Sequence, residues 1–305
     1  NVQHKVMAYD SKLTTTNLNA APFIASATLL NGIINIKGKG TNPTDLNTNL
    51  KINLHNSLFQ GNVIDSVSIS ADAVANIIDL NLNGIINRSV SNVNGKLNFS
   101  DLKNPSYDFT GTLNHLNLMP FTDNNKLVSD LNFNFYAKGK YLNIDKTIGE
   151  FKIDLDSSSF NGNNIFGNSI KLELKKDSTA RLIRLYSNFA DIYINGNFKI
   201  TDLTKLLLYQ SKVISKITEQ KFSEFNPISS AEDTTLLPML ISPIVNKNIQ
   251  LDYSLNFKNF SLIQILLQND QFNVVGSIQG SIQNDSDHFE MSSELDLDKF
   301  VKRSV

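Results

Sequence analysis

The feature that most constrains the fold is a strict alternation of apolar and polar residues along nearly the whole chain. Leu50, Ile52 and Leu54 alternate with Lys51, Asn53 and His55, and Ile78, Leu80 and Leu82 with Asp79, Asn81 and Asn83. The period returns in Leu131, Phe133 and Phe135, in Phe151, Ile153 and Leu155, in Ile170, Leu172 and Leu174, and from Leu251 to Phe257. A period of two sends successive side chains to opposite faces, so each segment predicts a strand with one face out of water. Asn–Gly pairs at 83–84, 94–95, 161–162 and 195–196 are expected as turns, because both residues reach positive φ cheaply. Many strands at short spacing, without intervening helices, predict an antiparallel all-β protein.

One segment departs from this period. Between Asp202 and Phe225 the apolar positions Leu203, Leu206, Leu207, Val213, Ile214, Ile217 and Phe222 follow helical spacing. Thr201 or Asp202 is placed to cap its start, and Pro227 follows its end. The chain therefore divides into a repetitive β-sheet segment over 1–200, an amphipathic helix with a Pro-containing loop over 201–248, and a continuation of the sheet over 249–305. The polar side of the helix mixes Lys205, Lys212, Lys216 and Lys221 with Glu219 and Glu224, which fits packing on the sheet better than lying on a membrane or docking a partner.

A weak internal repeat accompanies the alternation. Leu113–Phe121, Phe198–Leu206 and Phe257–Ile265 share a strand that ends in a polar residue able to cap one helical turn, and Leu295–Phe300 reads as a truncated fourth copy. A Gly-bearing strand lies upstream of several copies, as in Gly95–Phe99 and Gly276–Gly280.

Composition narrows the chemistry. Lys and Arg number 28 against 29 Asp and Glu with no basic cluster, which disfavours nucleic acid as a partner. With no Cys, disulfides, thiolate metal sites and thiol nucleophiles are excluded. Asn is overused, and solvent-facing positions are where it is expected. The four His residues, His4, His55, His115 and His288, are scattered. Asp285, Asp287, His288 and Glu290 form the densest run of metal-type ligands but lack the spacing of a calcium loop. Asp154 and Asp156 are a conceivable acid–base pair, although a solvated strand face is the ordinary role for them. No phosphate loop, nucleophile elbow or zinc motif occurs. No catalytic residue, metal or cofactor is expected, and the chain is read as a non-enzyme. The chain begins at Asn1 without an initiator Met or a leader and holds no run of roughly 20 apolar residues, so it is expected to be a fragment whose targeting segment lies upstream.

The Gly95–Phe121 cassette, the run Leu131–Leu155 and, above all, Tyr186-Ser187-Asn188-Phe189-Ala190-Asp191-Ile192-Tyr193-Ile194-Asn195-Gly196-Asn197-Phe198 resemble the AsmA-like superfamily, and within it the TamB-like proteins of the Bacteroidota. That resemblance implies an elongated, twisted antiparallel sheet folded into an open trough, the β-taco. It also implies a periplasmic location in the cell envelope, with the full-length protein anchored in the inner membrane and this chain a middle section of it. Phospholipid acyl chains are the implied cargo, and an outer-membrane barrel protein of the TamA or BamA type is the implied partner, in outer-membrane biogenesis and protein translocation. An open trough needs the alternation seen here, one face toward lipid tails and the other toward water. Each CH₂ withdrawn from water is worth about 0.8 kcal/mol, so an apolar groove requires no special side-chain chemistry. Phe133, Phe135, Phe151, Ile153, Leu155, Leu172 and Leu174, on consecutive strands in matching phase, are the expected groove residues. Alternation alone is equally compatible with a sandwich or barrel packed on itself. The competing function is a structural or adhesin-like surface β-repeat protein that binds protein or glycan through its loops. A carbohydrate-active enzyme is disfavoured because Trp is absent and no carboxylate cluster occurs.

Overall fold

The computed structural model describes residues 7–24, 28–42, 45–122, 127–203, 205, 248–267, 272–285 and 289–302. Alternation resolves as expected into one large antiparallel sheet that is not closed, an open trough. Strands β1 (Ala8–Leu18), β2 (Thr28–Lys39), β3 (Asn47–Phe59), β4 (Asn62–Val74), β5 (Ile77–Ile86), β6 (Ser89–Asn98), β7 (Ser106–Leu116), β8 (Ser129–Lys140) and β9 (Ile148–Leu155) each pair with the next. The short hairpin of β10 (Ser158–Phe160) and β11 (Asn163–Ile165) stands at the strand ends against the start of β8. β9 itself pairs with β12 (Asn168–Lys176). From there the meander runs through β13 (Arg181–Ser187), β14 (Ala190–Asn197), β15 (Ile249–Phe257), β16 (Phe272–Asn284) and β17 (Phe289–Lys302). β14 pairs directly with β15, so the sheet is continuous across the 201–248 excursion.

Three of the four expected turns are not turns. Asn83–Gly84, Asn94–Gly95 and Asn195–Gly196 lie inside β5, β6 and β14, and only Asn161–Gly162 joins two strands. The hairpins instead turn at 60–61, 75–76, 87–88 and 161–162, where both residues have positive φ, the type I′ geometry that matches strand twist. Strand glycines have another cause. A Cβ at Gly95 would collide with the Phe109 ring, one at Gly111 with Phe135, and one at Gly139 with Tyr107. In each case an aromatic ring from the neighbouring strand lies over the glycine and occupies the space a side chain would take.

Register exposes a longer repeat than the short cassette. Tyr9 faces Gly38, Tyr107 faces Gly139 and Tyr253 faces Gly280, always from one strand to the next. Between those two strands lies a short helix each time: α1 (Ala21–Ile24), α2 (Met119–Thr122) and α3 (Ser261–Leu267). The carboxamide oxygens of Asn19, Asn117 and Asn259 accept from the backbone N–H of Ala21, Met119 and Ser261 at 3.0, 3.2 and 3.0 Å, near the start of each. Sequence follows: Leu18-Asn19-Ala20-Ala21-Pro22-Phe23 matches Leu116-Asn117-Leu118-Met119-Pro120-Phe121. Details match as well. The Thr28 hydroxyl accepts from Ala20 N–H and donates to the Leu18 carbonyl, as Ser129 does with Leu118 and Leu116. Lys37–Asp10 at 2.8 Å corresponds to Lys138–Asp108 at 2.9 Å. The unit has six strands: β1–β6, then β7–β14 with its third and fourth strands interrupted by β10 and β11, then β15–β17 as the first half of another.

This repeat revises the short one. Leu295–Phe300 lies within β17 and forms no helical turn. Residues 200–203 and 205 are helical, but the rest of the expected helix and the loop after it lie outside the described residues. The helical turn is capped by neither of the expected residues: the Asp145 carboxylate, from the loop between β8 and β9, accepts from the Thr201 N–H at 3.0 Å and its hydroxyl at 2.8 Å.

Candidate binding face

Following partners across the sheet places one set of side chains on a common face. Phe135 lies beside Ile153 and Ile153 beside Ile170; Ala137 beside Phe151 and Phe151 beside Leu172; Phe133 beside Leu155; and Gly149 beside Leu174. All seven expected groove residues therefore share a face. Leu174 is buried, at 4% exposure, and the other six are half-buried. The face continues in both directions, through Phe109, Leu80, Ile69, Ile52 and Ile34 to Leu13, and through Leu185, Ile192, Leu255 and Ile278 to Leu295. Phase matching alone does not reveal the Tyr and Phe rings on this face that lie over glycines. Tyr107 spans Gly139 to approach Phe151, with ring centroids 6.2 Å apart, and burial pushes its phenol pKa up.

Two apolar clusters close parts of this face at the strand ends. At the rim that carries the three helices, Phe160 and Ile165 of the β10–β11 hairpin pack with Leu262 of α3, against Leu118, Leu131, Leu155 and Phe189. α3 leaves the sheet five strands from β8, so this contact draws the rim toward the apolar side. At the opposite rim Phe198 and Leu203 pack on Ile249, Leu251, Tyr253 and Ile282. Between the rims most of the face is only half-buried among the described residues.

Lys176, exposed at the rim, and Arg181 opposite it are charged residues on the apolar face, and Arg181, beside Gly196, is 1% exposed. Its guanidinium donates to the carbonyl of Thr147 at 3.0 Å and to that of Asp145, tying β13 to the β8–β9 loop. Nε has no partner among the described residues. Burial lowers the guanidinium pKa, and Asp145 opposes that shift. Burial pushes the Asp145 carboxyl up, but its two bonds from Thr201, with Lys199 and Arg181 nearby, outweigh this and hold it below the usual range.

The opposite face is polar and cross-linked. Lys96 pairs with Asp79, Lys152 with Asp154, and Lys171 with Glu150 and Glu173. Asn81 bonds Asn94 and Asn83, and Asn92 bonds Asn83 and Asn94, forming a ladder. Asn is thus more than a solvent-facing filler: it links strands here, and it takes positive φ at 17, 56, 76, 87 and 161.

The residues considered for chemistry are not drawn together. The Asp154 carboxyl is held below the usual range by bonds from Lys152 and Ser169, and Asp156 lies beyond the end of β9. His55 is exposed on the polar face, and His115 contacts Asp130 at 3.1 Å at the helix-bearing rim. His4, Asp287 and His288 lie outside the described residues, among which no group of metal ligands forms. A cleft of about 750 Å³ has Tyr107, Gly139, Gly149 and Leu174 on its apolar wall, with Lys140 and Lys176 at its margin. Comparison with family models, curated proteins and solved structures found no match.

Proposed function

We propose that this chain is a non-catalytic, periplasmic segment of a TamB-like envelope protein whose apolar face carries phospholipid acyl chains. One observation supports it above the rest: an apolar face crosses fifteen strands, and the charges on it, buried Arg181 and Lys176 opposite, stand together at one rim. A sandwich would bury such a face against a second sheet; here all the strands belong to one sheet. A half-exposed apolar surface of this extent is costly in water and marks a surface that meets another apolar body. Acyl chains suit it because they need length and dryness rather than directional bonds. The polar face, held by ion pairs and Asn bonds, faces water. Assistance to outer-membrane protein assembly through a TamA-type barrel, and an inner-membrane anchor on the full-length protein, are parts of this reading that rest on the family resemblance.

The test is organic extraction of the purified protein, followed by mass spectrometry of lipids. The wild type is expected to bring phospholipid with it, and Phe135→Asp and Ile153→Asp to fold with wild-type circular dichroism but retain much less. A charge in a dry groove costs several kcal/mol, yet the open mouth of a trough admits water to it. Unfolding of both variants would make these residues ordinary core, and lipid retention at wild-type levels would remove them from the groove.

A further inference from the structure

At the rim formed by the β8–β9 loop the apolar face runs into a second cleft, of about 550 Å³. Phe198 and Ile249 line it; both are buried and continue the phase of Ile194 and Leu251 on the apolar face. Lys146, Lys176 and Lys199 line the same cleft. All three are exposed, and none forms an ion pair among the described residues. Lys176 follows Leu174 in phase on β12, so the apolar face passes directly into the basic cleft. The loop that presents Lys146 is fixed in place: Arg181 donates to the carbonyls of Thr147 and Asp145, and the Thr147 hydroxyl donates to the Asn143 carbonyl at 2.8 Å. Two acids share the cleft, Asp145 and Asp202, and the Asp145 carboxylate is turned to Thr201. The helix-bearing rim has no counterpart. From β7 to β15 its one lysine among the described residues, Lys258, is paired with Asp191 at 2.6 Å.

From this juxtaposition we infer that the cleft binds the phosphate of a phospholipid headgroup, with Lys146, Lys176 and Lys199 as its cationic ligands, while the acyl chains of the same lipid lie on the apolar face. The inference rests on the acyl-chain reading and adds to it an orientation, headgroups at the rim of the β8–β9 loop and tails between the rims. A phosphate diester accepts several hydrogen bonds at once, and bonds from ammonium groups are the strong, charge-assisted kind. The carboxamides of Asn143 and Asn197, which line the same cleft, add neutral donors. A lipid is the source rather than a free ion because Phe198 and Ile249 set an apolar wall beside the charges, which only a ligand with an apolar body uses. The site also supplies selectivity that an apolar face alone lacks, since burial of CH₂ groups does not distinguish one headgroup from another.

The test is equilibrium dialysis of the whole chain against dioctanoyl phosphatidylglycerol and against dioctanoylglycerol, which has the same tails and no phosphate. A variant carrying Lys146→Gln, Lys176→Gln and Lys199→Gln together is expected to bind the phosphatidylglycerol at least about tenfold more weakly and the diglyceride as the wild type does, with unchanged circular dichroism. Arg at the same three positions should restore phosphatidylglycerol binding, and added salt should weaken only the phosphate-bearing lipid. Binding of both lipids that the Gln variant leaves unaltered would overturn the headgroup site and leave the acyl-bearing face standing. Binding of neither lipid would overturn the acyl-chain reading and this inference with it. Displacement of phosphatidylglycerol by an equal concentration of inorganic phosphate would show a free-anion site and overturn the assignment to a lipid.

Discussion

At the scale of single residues, the sheet depends on glycines and aromatics used as pairs. Gly139 leaves the space that Tyr107 fills, and Gly95 and Gly111 do the same for Phe109 and Phe135. Gly95→Val is therefore expected to destabilise the protein by about 1–3 kcal/mol in urea unfolding, as overpacking does. The loss should shrink in a Phe109→Ala background, since the ring that clashes is gone; equal losses in both backgrounds would mean the two positions are not coupled. Arg181 is a second special residue. Replacing it with Met leaves the Thr147 and Asp145 carbonyls without their donors, at a cost of about 1–3 kcal/mol. The glycine pairs could not be read along the chain: Gly95 follows an Asn as a turn glycine would, and Gly111 and Gly139 carry no local signal. The partner ring that distinguishes them comes from a different strand.

At the scale of elements, alternation gave the strands and their shared face, because a one-residue slip would reverse every side chain. Helical turns were less legible. The cassette at 113–121 and the one at 257–265 do end in Asn-capped helices, but the copy at 18–23 escapes notice because Ala20 and Ala21 stand where the other has the larger apolar Leu118 and Met119. Asn117→Ala is expected to cost about 1 kcal/mol, with faster amide exchange confined to 118–122. At 200–203 the cap comes from Asp145, 56 residues away, which no local pattern announces. Because the folded state holds the Asp145 carboxyl below its usual range, this bond stabilises the protein above the unfolded-state pKa and is lost as pH falls through the lower, folded one. The group is only partly buried, so solvent screening limits the contribution to about 1 kcal/mol or less. Asp145→Asn should accordingly be less stable than wild type at neutral pH, with the gap closing in acid; a gap that persists well into acid would contradict the assignment.

At the scale of the whole molecule, a six-strand unit repeated along one sheet keeps a single apolar face in phase from edge to edge. Among the described residues the three short helices between strands stand at one rim, and the buried Arg181 is held by the β8–β9 loop at the other. This arrangement suits the proposed conduit for acyl chains, since between the rims a chain sliding across the strands meets apolar side chains. The most direct measurement places a photo-activatable side chain at successive positions of β8 and β9 in cells and identifies what it captures. Positions 133, 135, 151 and 153 are expected to give phospholipid adducts, and the intervening positions 134, 136, 152 and 154 to give none. Adducts at both sets alike, or at neither, would contradict a lipid-bearing apolar face.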